Sequence, residues 1–372
     1  MKISAILKNM IIFAASSHKS GNMRRTHIIA FASALALFSG CGNIEKNYPE
    51  MIRIDGDRFH VQGIAYDTEK DLIYSSFTTS FLKNSTDGNL IASATGITGH
   101  LGDMVFDPQT RKVYASLEFK NDAIGSVISK GTGTDEVRQS QFYIAEISVD
   151  KITGTDTPFE EVAVLHTVDE AVKDYAAAVD MDGKVAEHRY GCSGIDGVTL
   201  APAFGKGRKS AKHLYVAYGI YGDTGRIDNE YNIILCYDLK DLSSPIHKYF
   251  VHTGNTTYGV QNLAYDSFTD RMYIAVYKGK KEGYPNYSLF ALDMDQEPFL
   301  APLADVPYHQ GEAEQLKVSE GWHFGLGSTG LNPLGDGCYY ISEDGKEEGK
   351  QYCKAWLYTI SDAPEAPFSR KM

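Results

Sequence analysis

A short phrase recurs in this chain. An apolar run ends in Asp, and seven residues later a Tyr opens a second apolar run. It reads Gly63-Ile64-Ala65-Tyr66-Asp67 with Tyr74, then Asp103-Met104-Val105-Phe106-Asp107 with Tyr114, then Asn262-Leu263-Ala264-Tyr265-Asp266 with Tyr273. A fourth copy places Asn332 in the Asp slot ahead of Tyr339. Each phrase has the form of two antiparallel strands joined by a polar turn, so the chain repeats a hairpin. A fifth pair of the same shape spans 194–200 and 214–218, with a longer basic turn from Lys206 to Lys212. Further alternating runs follow the pairs, at 142–149, 160–166, 231–239, 247–251, 288–294 and 355–361. Five units of about four strands describe an all-β fold, a β-propeller. Five blades are favoured, with six or seven as alternatives, because the interval between the first two phrases is not kept along the chain. The repeated Asp is expected to cap the turn after its strand. The Tyr is expected to pack between blades and bond through its hydroxyl. Residues 51–54 are expected to complete the last blade and close the ring, and 169–187 reads as an inserted helix or lid.

The N-terminus reads as a targeting segment rather than as part of the fold. Met23-Arg24-Arg25 is a basic start, 28–38 is a short apolar stretch, and Phe38-Ser39-Gly40-Cys41 follows. Small residues ahead of a Cys have the form of a bacterial lipoprotein signal, with Phe38 departing from the usual Leu. The expected organisation is a signal over 1–40, with the first 22 residues an upstream mis-start, and lipidation at Cys41. A tether follows over 41–50, and one propeller domain over 51–372. An ordinary secreted protein cut near Gly40 is the competing reading. The first 41 residues hold five of the 36 basic residues and no acidic one, so the remainder has 31 basic against 48 acidic residues, a net of −17. That balance argues against nucleic acid and against electrostatic adhesion to an anionic bilayer. Lipid, not charge, would hold the protein at the outer membrane, on a side the sequence leaves open. Among Cys192, Cys236, Cys338 and Cys353, the pair Cys338 and Cys353 is the disulfide candidate, since both fall in neighbouring strands of the last repeat. No Cys/His spacing suggests zinc.

In a propeller, residues just before each innermost strand and just after each second strand emerge on one face, because the two strands are antiparallel. On this chain that face collects titratable and aromatic side chains, whereas the opposite face offers ordinary turns such as 68–71 and 108–111. Two constellations are legible. The first is His188, Arg189 and Tyr190 with His100; Arg would neutralise a uronate carboxylate while His or Tyr moves protons, which is lyase chemistry. The second is the carboxylates Asp103, Glu118 and Asp196, with Glu343, of which two facing each other would cleave a glycosidic bond. Gln62, Tyr218, Tyr221, Tyr258, Gln261, Tyr277, Lys278, Trp322 and His323 would line the ligand site, the aromatic ones stacking on sugar rings. No cofactor is expected; the acids are a weak signal for calcium, and nothing resembles an EF-hand loop. The competing reading has the same residues plug the channel, with Arg189 paired to Asp103 or Glu118.

With the lipobox and five further phrases, at 98–102, 187–197, 215–223, 250–261 and 322–330, the chain resembles an uncharacterised family of Bacteroidetes envelope lipoproteins with a β-propeller fold. The resemblance covers nearly the whole mature chain. It implies an envelope location and the fold, and it hints at glycan use. The expectation is therefore a lipid-anchored propeller that binds and processes a glycan at the mouth of its channel, as a polysaccharide lyase or a glycoside hydrolase. A non-catalytic binding or scaffold lipoprotein is the alternative.

Overall fold

The computed structural model describes residues 46–134 and 139–371. The expected signal, the lipidation site Cys41 and the tether as far as Glu45 lie outside the described residues. The propeller is the unit from Pro49 onward. Its five blades are antiparallel sheets. Blade 1 runs outward through Gly63–Asp67, Leu72–Ser76, Phe81–Ser85 and Leu90–Thr95. Blade 2 comprises His100–Asp107, Lys112–Phe119, Gln141–Ser148 and Ala163–Thr167; a single helical turn, Phe159–Val162, stands where the expected strand at 160–166 would begin. Blade 3 is Cys192–Pro202, Lys212–Ile220, Tyr231–Asp238 and His247–His252, and blade 4 is Thr256–Asp266, Arg271–Lys278, Leu289–Asp293 and Glu320–Trp322. Blade 5 takes Leu331–Pro333, Cys338–Glu347 and Lys350–Ile360 from the end of the chain, and Met51–Asp55 from its start as the fourth strand. Met51 pairs with Trp356 and Asp55 with Tyr352, so the ring closes through the expected strand.

The five inner strands pack against one another around the axis. They have neighbours on both faces, which is why Cys192–Pro202 is buried along its whole length and reads as a continuous run rather than an alternating one. Crowding there dictates glycine: a Cβ on Gly63 would lie 2.8 Å from the Asp103 Cα. Three inner strands carry register shifts near their starts, between Leu101 and Met104, between Ile195 and Val198, and between Thr257 and Asn262. Such bulges re-aim side chains. Here they hold Asp103, Asp196 and Gln261.

The repeated Asp caps its turn. Asp67 Oδ1 accepts from the amides of Glu69 and Lys70 at 3.0 and 3.1 Å, and Asp107 Oδ1 accepts from Gln109 at 3.1 Å. Asp266 accepts from Phe268 and Thr269 at 3.0 Å. These caps also join blades. Arg111 of blade 2 donates to Asp67 of blade 1 at 2.5 Å, and Tyr339 of blade 5 donates to Asp266 of blade 4 at 2.7 Å. The tyrosine rings fill the same seams, Tyr74 against Phe106 at 5.4 Å and Tyr273 against Tyr339 at 6.3 Å.

The expected disulfide is absent: Cys338 and Cys353 are both free thiols. In their hairpin Cys353 stands opposite Asp344 while Cys338 stands opposite Thr359. Six residues of strand, about 20 Å, separate the two positions, beyond the roughly 7 Å that a disulfide can bridge. The region after blade 2 forms a helix, Asp169–Ala176, and a hairpin, Ala178–Met181 with Lys184–Glu187. A second helix, Ala123–Thr132, interrupts blade 2 between its second and third strands.

Asp266→Ala strips the cap and the Tyr339 partner together. The expected loss is about 2–3 kcal/mol in urea denaturation, coupled non-additively to Tyr339→Phe in a double-mutant cycle.

Candidate functional site

The channel is closed at the level of the inner strands. Asp103 Oδ2 accepts from the Val198 amide of blade 3 at 2.8 Å and from the Leu263 amide of blade 4 at 2.9 Å. Asn262 donates to Gln62 O of blade 1 at 3.0 Å and accepts from the Leu331 amide of blade 5 at 2.9 Å. Ser76 donates to Gly102 O at 2.7 Å. Burial raises the Asp103 carboxyl well above the usual carboxylate range, even though the amides oppose it.

Above this floor, at the end where the inner strands begin, lies a cavity of about 290 Å³. Blade 1 contributes His60 and Gln62; blade 2 His100, Glu118 and Lys120; blade 3 Ser193, Asp196 and Tyr221; blade 4 Tyr258, Gln261 and Tyr277. Distant stretches of chain therefore meet at one opening, as the propeller geometry requires. Glu118 is buried and fully engaged. Its Oε1 accepts from the Ile195 amide at 2.6 Å, and its Oε2 lies 2.6 Å from Lys120 Nζ and 3.5 Å from His100 Nδ1. Burial opposes its charge, but Lys120 and His100 outweigh burial and hold the carboxyl below its ordinary range. Burial likewise opposes the Lys120 charge, and Glu118 overcomes it, raising the amine. Lys120 also donates to Ser193 O at 3.2 Å. This pairing leaves no room for a side chain at residue 194: a Cβ there would stand 1.9 Å from Glu118 Oε1, and Gly194 has φ +126°.

Asp196 has the opposite fate. It is buried beside Gly102, where a Cβ would stand 2.2 Å from its Oδ1. Burial pushes its carboxyl up to about 7, with His100 and Lys120 opposing and the nearby Glu118 and Asp103 carboxyls adding to the rise. Burial also lowers His60, whose Nε2 lies 2.9 Å from the Gln62 amide nitrogen. Two carboxyls within one cavity, Asp196 and Glu118, are thus pushed apart in acidity. The aromatic wall is Tyr221, Tyr258 and Tyr277. Tyr258 is 48% exposed and adopts φ +64°, an uncommon state for a bulky residue. It meets Tyr277 edge to face at 6.2 Å.

Eight of the residues expected at the site line this cavity: His100, Glu118, Asp196, Gln62, Tyr221, Tyr258, Gln261 and Tyr277. Asp103 lies beneath it as the floor. The others lie elsewhere. His188 Nδ1 is 2.5 Å from Tyr175 O, and its ring is wedged between Tyr175 and Tyr221. Arg189 pairs with Asp174 at 3.3 Å, not with Asp103 or Glu118. Tyr190 donates to or accepts from His309 Nδ1 at 2.8 Å, and Tyr218 donates to Asp174 Oδ2 at 3.0 Å. Arg189 and Tyr218 thus converge with Lys248 on buried Asp174 of the helix Asp169–Ala176, and His188 meets the same helix at the Tyr175 carbonyl, whereas Tyr190 is held by His309. Lys278 ends the second strand of blade 4 in solvent, away from the cavity. Trp322 belongs to the outer strand of blade 4 and donates to Pro364 O at 3.3 Å, while the His323 ring meets Tyr287 in a tilted pair at 5.0 Å. Both were expected ahead of the last inner strand, but that strand starts beyond Gly330. Glu343 accepts from Trp356 Nε1 at 2.8 Å on the blade 5 hairpin, clear of the other carboxylates.

His60 and Lys120 stand on the face read from the sequence and were not singled out. The helix Ala123–Thr132, which supplies Ile124, was not foreseen. Its signals were Asp122 as N-cap, apolar Ile124, Val127 and Ile128 at helical spacing, and Gly133 at φ +70° after its end. Among the described residues no three His, Cys, Asp or Glu side chains cluster to hold a metal ion.

No family model and no curated protein matches the chain. Among solved structures, a glucose dehydrogenase aligns over 82% of this chain and 99% of its own, at 11% identity and a TM-score of 0.39. The soluble aldose sugar dehydrogenase of Escherichia coli aligns over 86% and 100%, at 11% identity and a TM-score of 0.37. A gluconolactonase of Xanthomonas campestris aligns over 82% and 89%, at 10% identity and a TM-score of 0.31. Likenesses this distant do not speak for the chemistry of this chain.

Between about pH 4 and 7 the folded state keeps a proton on Asp196 that the unfolded chain has released, so stability falls as pH rises through that window and levels off above it. Asp196→Asn is neutral at every pH. It is expected to flatten the slope by up to about 1.4 kcal/mol per pH unit, measured as urea midpoints at a series of pH values.

Proposed function

We propose that this protein is an envelope-anchored propeller that binds a glycan at the mouth of its channel. The observation that supports the reading is the wall formed by exposed Tyr258 over Tyr277. It stands in one cavity with the amides of Gln62 and Gln261 and with His60, His100 and Asp196. A pyranose offers a face of C–H bonds and a rim of hydroxyls; the tyrosines suit the first, and the amides, imidazoles and carboxyl suit the second. An exposed aromatic held in a left-handed backbone conformation is a cost that the surrounding fold sustains, which is common at ligand sites.

The same cavity favours hydrolysis over lyase chemistry. Asp196 carries a proton to near neutrality and can act as general acid, and Glu118 stays ionised and can stabilise positive charge that develops on a sugar ring. The His188, Arg189 and Tyr190 group that would serve a lyase is engaged with the inserted helix and with His309. The closed floor and an open mouth coexist: the plug lies at Asp103, and the ligand space lies above it.

Tyr258→Ala is expected to weaken oligosaccharide binding about tenfold or more in titration calorimetry while leaving the melting temperature unchanged, since the ring is half exposed. Equal affinity in the variant would refute the reading.

Anchorage rests on the lipobox ending at Cys41. Cys41→Ser is expected to shift the protein from the membrane to the soluble fraction and to abolish incorporation of a labelled fatty acid.

A further inference from the structure

We infer that the ligand is an oligosaccharide rather than a single sugar, and that Ile124 governs the passage between two adjoining subsites. This rests on the glycan reading above and specifies its substrate class. A second compartment, of about 240 Å³, opens between the helix Ala123–Thr132 and the start of blade 2. It shares His100, Glu118, Lys120 and Ile124 with the main cavity. Each compartment alone falls short of the roughly 300 Å³ at which ligand pockets begin, and the two together pass it. Their linings differ. The main cavity has the tyrosine wall, while the second offers hydroxyls and an amide from Thr98, Ser126, Ser129 and Asn121. One sugar stacks in the first, and the next is held by hydrogen bonds in the second.

The helix is a built wall, not a loose flap. Its N-cap, Asp122, accepts from the Gly125 amide at 2.9 Å and from the Tyr221 hydroxyl of blade 3 at 3.3 Å. At the other end Arg58 donates to Gly131 O at 3.1 Å. The first turn sits so close to blade 2 that a Cβ on Gly125 would lie 1.7 Å from Lys120 O. Ile124, the neighbour of that glycine, alone among the helix residues lines both compartments. It is 43% exposed, so a larger side chain there projects into the passage without disturbing the core.

The test is calorimetric titration of the wild type, Ile124→Trp and Tyr258→Ala with glucose, cellotetraose, galacturonate and tetragalacturonate, with melting temperatures confirming that each variant folds. The wild type is expected to bind one tetrasaccharide at least tenfold more tightly than its monosaccharide. Ile124→Trp is expected to cost the tetrasaccharide at least tenfold more affinity than it costs the monosaccharide, removing that advantage, while Tyr258→Ala weakens both alike. Equal wild-type affinity for both lengths, or an equal loss for both in Ile124→Trp, overturns the two-subsite inference while a Tyr258→Ala effect leaves the glycan reading standing. No binding of any of the four sugars by the wild type overturns both.

Discussion

One buried carboxyl organises this propeller. Asp103 leaves blade 2 through a bulge, reaches the axis and takes the backbone amides of Val198 and Leu263 from two other blades. Inner strands that meet around an axis leave some amides facing the centre, where neither a ladder partner nor bulk water is at hand. Buried amides without partners are costly. Asp103 answers two of them, and Asn262 repeats the device toward blades 1 and 5. The hub thus ties all five blades with two side chains. Closure of the channel follows from this way of satisfying the backbone, and so does the depth of the cavity above it.

That cavity inherits its electrostatics from the hub. Asp196 emerges from the equivalent bulge in blade 3, and its Oδ1 lies 3.4 Å from the Asp103 amide nitrogen. Glu118, one strand out, has Lys120 at 2.6 Å as counter-ion. Burial acts on both carboxyls alike; what separates them is the direct contact of Glu118 with Lys120 and His100. A near neighbour of opposite sign fixes Glu118 as a charge, and Asp196, without so close a cation, responds to desolvation. Two acids of contrasting character on one face are a consequence of where Lys120 and His100 stand.

Much of this was legible in the letters. The Asp-to-Tyr interval disclosed the hairpins because a turn cap and a seam-filling ring are local demands that recur in every blade. Antiparallel pairing then placed eight expected residues around one opening. The failures have physical reasons too. Trp322 and His323 were assigned to the start of blade 5 because short strands with few residues give no clear boundary, and Glu320–Trp322 instead completes blade 4. His188, Arg189 and Tyr190 looked reactive because pattern alone does not reveal their partners: the Tyr175 carbonyl and buried Asp174 on the inserted helix take His188 and Arg189, and His309 takes Tyr190. Cys338 and Cys353 share a hairpin, but the register of a long hairpin is set at its turn, which sequence spacing could not supply. The helix Ala123–Thr132 was hidden by the strand rhythm on either side, although its caps were plain.

The strand Met51–Asp55 belongs to the blade whose other members are the last of the propeller to be synthesised. Until residues 350–360 emerge from the ribosome, that first segment has nothing to pair with, and the outermost edge of the final sheet stays bare. Contacts spanning nearly the full length of a polypeptide form slowly. A nascent propeller of this topology therefore stays open until its last blade has been made, and completion waits on the joining of the domain's first and last strands.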